Sequence, residues 1–362
     1  MTMTGDREAN PWVKWLRRWD STQVLLTTKK GWAAYANAPE RPRPPTLTRA
    51  EMTDLDEDTR KDYNAARGVW NVNCSVIRTP QLVSTHRILD QVMASNRRDS
   101  YRLRGAAAID AAPTLGKTTI AATYAKGFYR TTMRRYGART AQGHQRIPVV
   151  YVNLNAGSTL KQLNQALLRF YGHPAAERYT KAQLGSLVVD CAHACETRLV
   201  VIDDVHFIDQ HHRIGREVSD HLKSLANEVP ATFFFVGVGL REQEFFSEGR
   251  IGADAALAQT SRRVTRCEVA PFSMSTDAGV RTWMSLLTTL ESHLLLADAR
   301  PGMLTEHAEY LYARTQGCIG SLLALIDGAC DEAISSGEET INANTLGLTV
   351  IDDAAEQLAQ AV

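Results

Sequence analysis

Ala111-Ala-Pro-Thr-Leu-Gly-Lys-Thr118 decides the reading of this chain. The octapeptide follows a short apolar run, Arg104 to Ile109, and opens a proline-free stretch from Thr118 to about Arg135 with helical spacing. Strand, loop and helix in that order is the context in which Gly-Lys-Thr binds phosphate. Successive backbone amides and a helix N-terminus surround the β-phosphate, the lysine reaches the β and γ oxygens, and the following hydroxyl ligates Mg²⁺. The residues assigned to the nucleotide are therefore Ala112, Pro113, Thr114, Leu115, Gly116, Lys117, Thr118 and Thr119, with Thr118 also on the metal. One position departs from the common pattern: Ala111 stands where a glycine usually does. An alanine held at positive φ costs about 1–2 kcal/mol, so either Ala111 keeps ordinary backbone angles or the loop is distorted.

The complementary half of such a site is an apolar strand that ends in acid, and Leu199-Val-Val-Ile-Asp-Asp204 supplies it. An unbroken β-branched run reads as a buried parallel strand, and ligands gather at the carboxyl ends of such strands. Asp203 is placed to hold Mg²⁺, directly or through water, and Asp204 to orient or deprotonate an attacking water. The competing reading is that the two acids cap the next helix.

Strands alternate with helices through this region. Pro148 to Leu154 reads as a strand, Thr180 to Glu196 as a helix, Leu199 to Ile202 as the acidic strand and Ala231 to Val236 as a further strand. The expected fold is α/β, a parallel sheet flanked by helices. Upstream, Thr48 and Glu51 form a capping box that opens a helical stretch through Leu55, Tyr63 and Ala66, and Thr79-Pro80 starts another helix.

Composition fits this reading. The chain has 362 residues, 44% of them apolar, enough for two or three domains with substantial cores. No apolar run approaches membrane-spanning length and the N-terminus lacks the apolar region of a secretory signal, so a cytoplasmic protein is expected. Six scattered cysteines show no paired C-x-x-C spacing. Cys191 and Cys195 share a helix face from which His193 points away, which favours buried free thiols over a metal site.

The net charge of +1 conceals a strongly uneven distribution. No acidic residue lies between Asp110 and Glu177, whereas Lys117, Lys126, Arg130, Arg134, Arg135, Arg139, Arg146, Lys161 and Arg169 do. The densest part makes Lys126, Arg130, Arg134 and Arg135 the candidates for a nucleic-acid backbone; the alternative is a solvated helix face. At the N-terminus, Trp12, Trp15 and Trp19 recur at helical spacing among basic residues, Trp32 follows, and Pro39 to Pro45 reads as an extended linker. This arm reads as an interaction element, more suited to packing or protein contact than to stacking on bases.

From about Leu47 onward the chain resembles the AAA+ ATPases of bacterial transposition modules, the TniB/TnsC type. The resemblance rests on the phosphate loop, on Val200-Val-Ile-Asp-Asp-Val-His-Phe-Ile208, on Phe235-Val-Gly-Val-Gly239, on Ser261-Arg-Arg263 before Val269-Ala-Pro-Phe272, and on Thr315 to Leu322 opening a C-terminal helix. It implies an AAA+ core over residues 101–273, preceded by an N-terminal arm and linker (1–46) and a helical lead-in (47–100), and followed by a helical lid (274–362). It also implies ATP and Mg²⁺ as cofactors, ATP hydrolysis, and assembly of a homo-oligomer, ring or filament, on double-stranded DNA largely without regard to sequence. Partners would be a DDE transposase and a target-selector protein, with the assembly marking the target. Either Arg262 or Arg263 would be the arginine that a neighbouring subunit's γ-phosphate meets; a guanidinium offers bidentate donors to developing charge there.

Three departures from the broader AAA+ pattern point to slow turnover. Asp204 replaces the usual glutamate, Gly237-Val-Gly239 supplies no polar sensor, and the C-terminal helix lacks the usual arginine, although Arg314 lies nearby in sequence. Tight ground-state binding of ATP drives assembly even when the transition state gains little. The alternative assignment is a signalling or replication-initiator ATPase of related fold, which would carry a repeat sensor or a C-terminal DNA reader for which little chain remains.

Overall fold

A computed structural model describes residues 10–20, 24–97, 104–208, 213–240 and 264–351. Five helices come first: α1 (Pro11–Trp19), α2 (Lys29–Asn37), α3 (Arg49–Thr53), α4 (Glu57–Asn71) and α5 (Pro80–Ser95). Strand β1 (Ala106–Ala111), helix α6 (Lys117–Tyr136), β2 (Val149–Asn153), α7 (Leu160–Tyr171), α8 (Lys181–Ala194), β3 (Leu199–Asp203), α9 (Arg213–Glu228), β4 (Thr232–Gly237) and β5 (Val264–Val269) follow. The last described helices are α10 (Asp277–His293), α11 (Ala308–Thr315), α12 (Ile319–Ser335) and α13 (Ala343–Leu348). No described helix is long and apolar enough to cross a membrane.

The chain divides into two compact units. One contains residues 24–38 and 80–270 and is built on a five-stranded, wholly parallel sheet in the order β2-β3-β4-β1-β5. β3 and β4 are buried along their whole length, as their apolar runs Leu-Val-Val-Ile and Phe-Phe-Phe-Val require of inner strands. β5 carries no strand signal in the sequence: Val264-Thr-Arg-Cys-Glu-Val269 neither alternates strictly nor runs continuously apolar, with Thr265 and Arg266 both exposed, as its place at the sheet edge allows. Capping boxes, Thr159 with Gln162 and Thr180 with Gln183, start α7 and α8, and Gly172 in a left-handed conformation stops α7.

The other unit gathers residues 1–23, 39–79 and 271–362. Its core is formed by Trp283, Leu286, Leu287, Leu290, Leu311, Leu322, Leu325 and Ile326 among others. The buried guanidinium of Arg67 on α4 pairs with the carboxylate of Glu339, Nη2 to Oε1 at 2.6 Å, and Glu339 also accepts the Ala297 amide at 3.0 Å. Trp70 donates to the His293 carbonyl at 2.8 Å, with the two rings stacked at 4.6 Å. The segment read from sequence as a helical lead-in thus belongs, as far as Thr79, with the C-terminal helices, and α5 belongs with the sheet. The helical stretch expected after Thr48 is two helices, because Asp56 caps a fresh start by accepting the Thr59 amide at 2.9 Å.

The tryptophans of the arm separate. On α1, Trp12 meets Tyr63 of α4 at 5.0 Å and Trp15 donates to the Pro42 carbonyl at 3.1 Å, both within the second unit. Trp32 lies instead on α2 in the sheet-bearing unit, 1% exposed.

Candidate nucleotide site

The phosphate loop leaves the carboxyl end of β1, and α6 begins at Lys117. Ala111 ends β1 as a buried strand residue, so the missing glycine imposes no strain; positive φ falls instead on Thr114 (62°) and Gly116 (78°). At Gly116 this conformation is free, and at Thr114 it costs about 1 kcal/mol, local strain of the kind that binding loops retain. Lys117 Nζ donates to the Ala112 carbonyl at 2.8 Å, which curls the loop beneath its own ammonium. Burial pulls the Lys117 pKa down, opposed by the charges of Asp203, Asp204 and Asp110. An ammonium short of solvent among acids is primed to gain from a polyphosphate.

β1 and β3 are separated only by β4, which brings the two sequence motifs together. Thr118 Oγ1 donates to Asp203 Oδ2 at 2.9 Å across 85 residues of sequence. The Asp203 side chain is 1% exposed, and its other oxygen, Oδ1, accepts the amide of Asp204 at 2.9 Å. A hydroxyl and a carboxylate oxygen in contact are hard donors of the kind Mg²⁺ takes alongside phosphate oxygens and water, so the pair fits that ion. Tyr151 Oη, from β2, donates to the same Oδ2 at 2.5 Å, a contact that neither sequence motif foreshadows.

Asp204 sits one residue past the strand with φ of 58°, left-handed, and opens the short turn Val205–Phe207. Burial raises its carboxyl pKa, the neighbouring charge of Asp203 raises it further, and His206 and Lys117 pull the other way. A carboxylate with raised basicity accepts a proton from water more readily than an ordinary aspartate. Gly237, the first residue of the Gly237-Val-Gly239 stretch that supplies no polar sensor, is packed from outside the strand. A Cβ there would stand 2.6 Å from Leu240 Cδ2, 3.0 Å from Val205 Cγ2 and 3.2 Å from the His206 amide nitrogen. The turn that carries on from Asp204 therefore occupies the space a sensor side chain would need.

Arg262 and Arg263 lie outside the described residues. Arg314 turns its guanidinium onto the Tyr310 hydroxyl at 2.8 Å and the Thr349 carbonyl at 3.2 Å within its own unit. Of the four candidates for DNA, two meet α2: Lys126 stands 4.6 Å over the Tyr35 ring, and Arg130 Nε donates to the Ala36 carbonyl at 2.5 Å, while Arg135 stands 5.9 Å over the ring of its neighbour Tyr136. Lys126 and Arg130 hold α2 against α6. Arg134 and Arg135 lie in the last turn of α6. Arg135 also lines an open cavity of about 990 Å³ at the amino ends of β1, β3 and β4, with Arg97, Arg104 and Arg198. Arg104 and Arg198 are far apart in sequence, so only the parallel sheet, which aligns strand starts, reveals this cluster. Cys191 and Cys195 are half-buried rather than buried, and burial pushes both thiols up, that of Cys191 to about 11.

The family model of the bacterial TniB protein matches residues 74–247, which span the phosphate loop, β3 and the turn after β4. Over those residues the chain is similar to that family. The fold is shared with several solved structures. The Aeropyrum pernix ORC1 protein in complex with DNA aligns with a TM-score of 0.58 at 14% identity, covering 80% of this chain and 68% of that one. The Aeropyrum pernix ORC2 protein, in ADPNP and ADP complexes, gives 0.54 at 14% over 76% and 69%. Cdc6p from Pyrobaculum aerophilum gives 0.53 at 12% over 75% and 67%. No curated protein matches the sequence. The fold, a parallel five-stranded sheet flanked by helices, matches that of these AAA+ fold neighbours.

Proposed function

We propose that this chain is a cytoplasmic, ATP-dependent, DNA-binding regulator of transposition that assembles on duplex DNA, marks the target, and recruits or activates a DDE transposase. The contact of Thr118 with Asp203 carries the nucleotide part of the reading, since it joins the phosphate loop to the acidic strand at 2.9 Å. The TniB match over residues 74–247 supports the transposition part.

In this reading Thr118 and Asp203 hold Mg²⁺, which neutralises charge on the β- and γ-phosphates when bound. Lys117 exchanges the Ala112 carbonyl for phosphate oxygen. Asp204 orients water and accepts its proton. Arg262 or Arg263 is supplied to the neighbouring copy, so that hydrolysis waits on assembly. With no polar side chain at Gly237, hydrolysis is slow and ATP serves mainly as the bond that holds the assembly. On the DNA side, Arg134 and Arg135 remain accessible, joined by Arg104 and Arg198, while Lys126 and Arg130 serve α2. Phosphate contacts of this kind position the protein without reading bases and weaken steeply with salt.

Electron microscopy of the purified chain with duplex DNA, in ATP, a slowly hydrolysed analogue and ADP, tests the proposal. Rings or filaments on DNA with ATP but not ADP are expected. Monomers under all three conditions would overturn it.

A further inference from the structure

The nucleotide site holds one group that neither sequence motif contains. Tyr151 lies on β2, whose register pairs it with Val201 and pairs Asn153 with Asp203. Tyr151 is thus on the same face as Asp203 and two residues back along the neighbouring strand, a separation the long tyrosine side chain spans. Its hydroxyl reaches Asp203 Oδ2 at 2.5 Å, on the same oxygen that accepts Thr118. Against a carboxylate oxygen, which can only accept, the phenol hydroxyl is the donor.

Tyr151 is itself held by the N-terminal segment. The Trp32 indole stacks on its ring, with centroids 5.6 Å apart and planes 16° from parallel, and Trp32 also meets the ring of Tyr129 at 6.4 Å. Helix α2, which carries Trp32, is fastened to the same unit at both ends. Lys29 Nζ donates to the Tyr171 carbonyl at 3.2 Å, and Arg130 holds the carbonyls of Ala36 and Ala38 at 2.5 and 3.2 Å. The chain from Trp32 to Asp203 is therefore continuous: stacked ring, hydroxyl, carboxylate.

We propose that Tyr151 is the positioning residue for the metal-holding carboxylate of Asp203, and that α2, through Trp32, is the brace that keeps Tyr151 there. This rests on the nucleotide reading above. A carboxylate can ligate through either oxygen and rotate about its last torsion, so a metal site needs partners that choose an orientation. Asp203 has one on each oxygen: the Asp204 amide on Oδ1 and Tyr151 on Oδ2. Thr118 is the third donor, and its hydroxyl keeps its proton on Asp203 while turning a lone pair to the ion. Removing the tyrosine hydroxyl leaves the loop and the lysine intact and takes from the carboxylate one of its three donors, keeping those from Asp204 and Thr118. A segment far upstream in sequence thereby sets how tightly the site takes its metal.

The test separates metal binding from nucleotide binding in the full-length chain. Binding of a slowly hydrolysed ATP analogue is measured by calorimetry in EDTA and across a Mg²⁺ titration, and bound Mn²⁺ is read directly by electron paramagnetic resonance in the presence of the analogue. For Tyr151→Phe, binding in EDTA should match the wild type, while half-saturation should need about ten to a hundred times more metal, the usual effect of removing a partner that orients a metal ligand. Trp32→Ala should shift the metal requirement in the same direction, and Trp32→Phe, which restores a stacking ring, should recover most of it. Tyr151→Phe with unchanged metal dependence overturns the proposal. So does a Tyr151→Phe chain that loses nucleotide equally with and without metal, which would make the residue merely structural. A wild-type chain that binds no nucleotide sinks the site itself, a result distinct from either.

Discussion

Gly237→Ala offers a test of why this site lacks a polar sensor. The backbone at Gly237 is ordinary strand, so alanine is allowed there and gains about 0.5–1 kcal/mol from lower unfolded-state entropy. Against this stands overpacking. The contact at 2.6 Å is to the tip of Leu240, which can turn away, but those at 3.0 and 3.2 Å are to a β-branched side chain and to the backbone of the turn after Asp204. Overpacking against groups that cannot yield costs about 1–3 kcal/mol, so the net effect is a destabilisation of up to about 2.5 kcal/mol. For a unit of this size that lowers the thermal midpoint by up to about 10 °C. Gly127→Ala on α6 is the control of opposite sign, because a Cβ there meets nothing within 4 Å, and it should raise the midpoint slightly. Differential scanning calorimetry of both variants decides the matter. If Gly237→Ala is as stable as Gly127→Ala, the turn does not crowd Gly237, and another reason must be found for the missing sensor. Gly237→Thr, larger still, should be the least stable and should not accelerate hydrolysis.

Lys117→Ala should abolish ATP-dependent assembly on DNA, as seen by sedimentation with and without nucleotide. Asp204→Asn should assemble normally but disassemble slowly after ATP is withdrawn; unchanged hydrolysis in that variant would remove Asp204 from the catalytic role. In the second unit, Asp327 has its carboxyl pushed up to about 6 by burial, from an ordinary 3.8. The native state then holds that proton more tightly than the unfolded chain. The resulting stabilisation is complete below pH 4, falls as pH rises between 4 and 6, and is absent above. Asp327→Asn should therefore stabilise the protein at pH 7.5, on the order of 1 kcal/mol after allowing for solvent access, and make no difference at pH 4, as measured by urea midpoints at the two pH values. Arg135→Ala and Arg198→Ala should each weaken DNA binding uniformly across sequences and flatten its salt dependence; a sequence-selective loss would argue against backbone contacts.

Much of the candidate nucleotide site is legible in the order of residues alone, since its parts are local. A loop with Gly116-Lys-Thr118 between an apolar run and a helical run, and a β-branched run ending at Asp203, each carry their own signal over fewer than ten residues. Where the sequence reading set both ends of an element in the core, those ends lie within two residues of the observed ones, because burial patterns and caps are written into adjacent positions. Periodicity also places Trp12, Trp15 and Trp19 on one helix. It does not find β5, whose edge position calls for a mixed face.

Other features depend on residues that are distant along the chain and meet only after folding. Nothing in the order of residues says that Trp32 leaves the other tryptophans and stacks on Tyr151, or that Tyr151 turns to Asp203. The basic helix illustrates the same limit: charge counting treats Lys126, Arg130, Arg134 and Arg135 alike, yet two of them meet a ring and a carbonyl from α2 and two lie at the end of α6. Sequence by itself determined which chemistry is present, because phosphate loops and acidic strands are defined by neighbouring residues and their φ and ψ angles. The tertiary structure alone decided which of those groups act together, because hydrogen bonds and stacked rings require contact within a few ångströms, and only the parallel sheet and the docking of α2 create that contact.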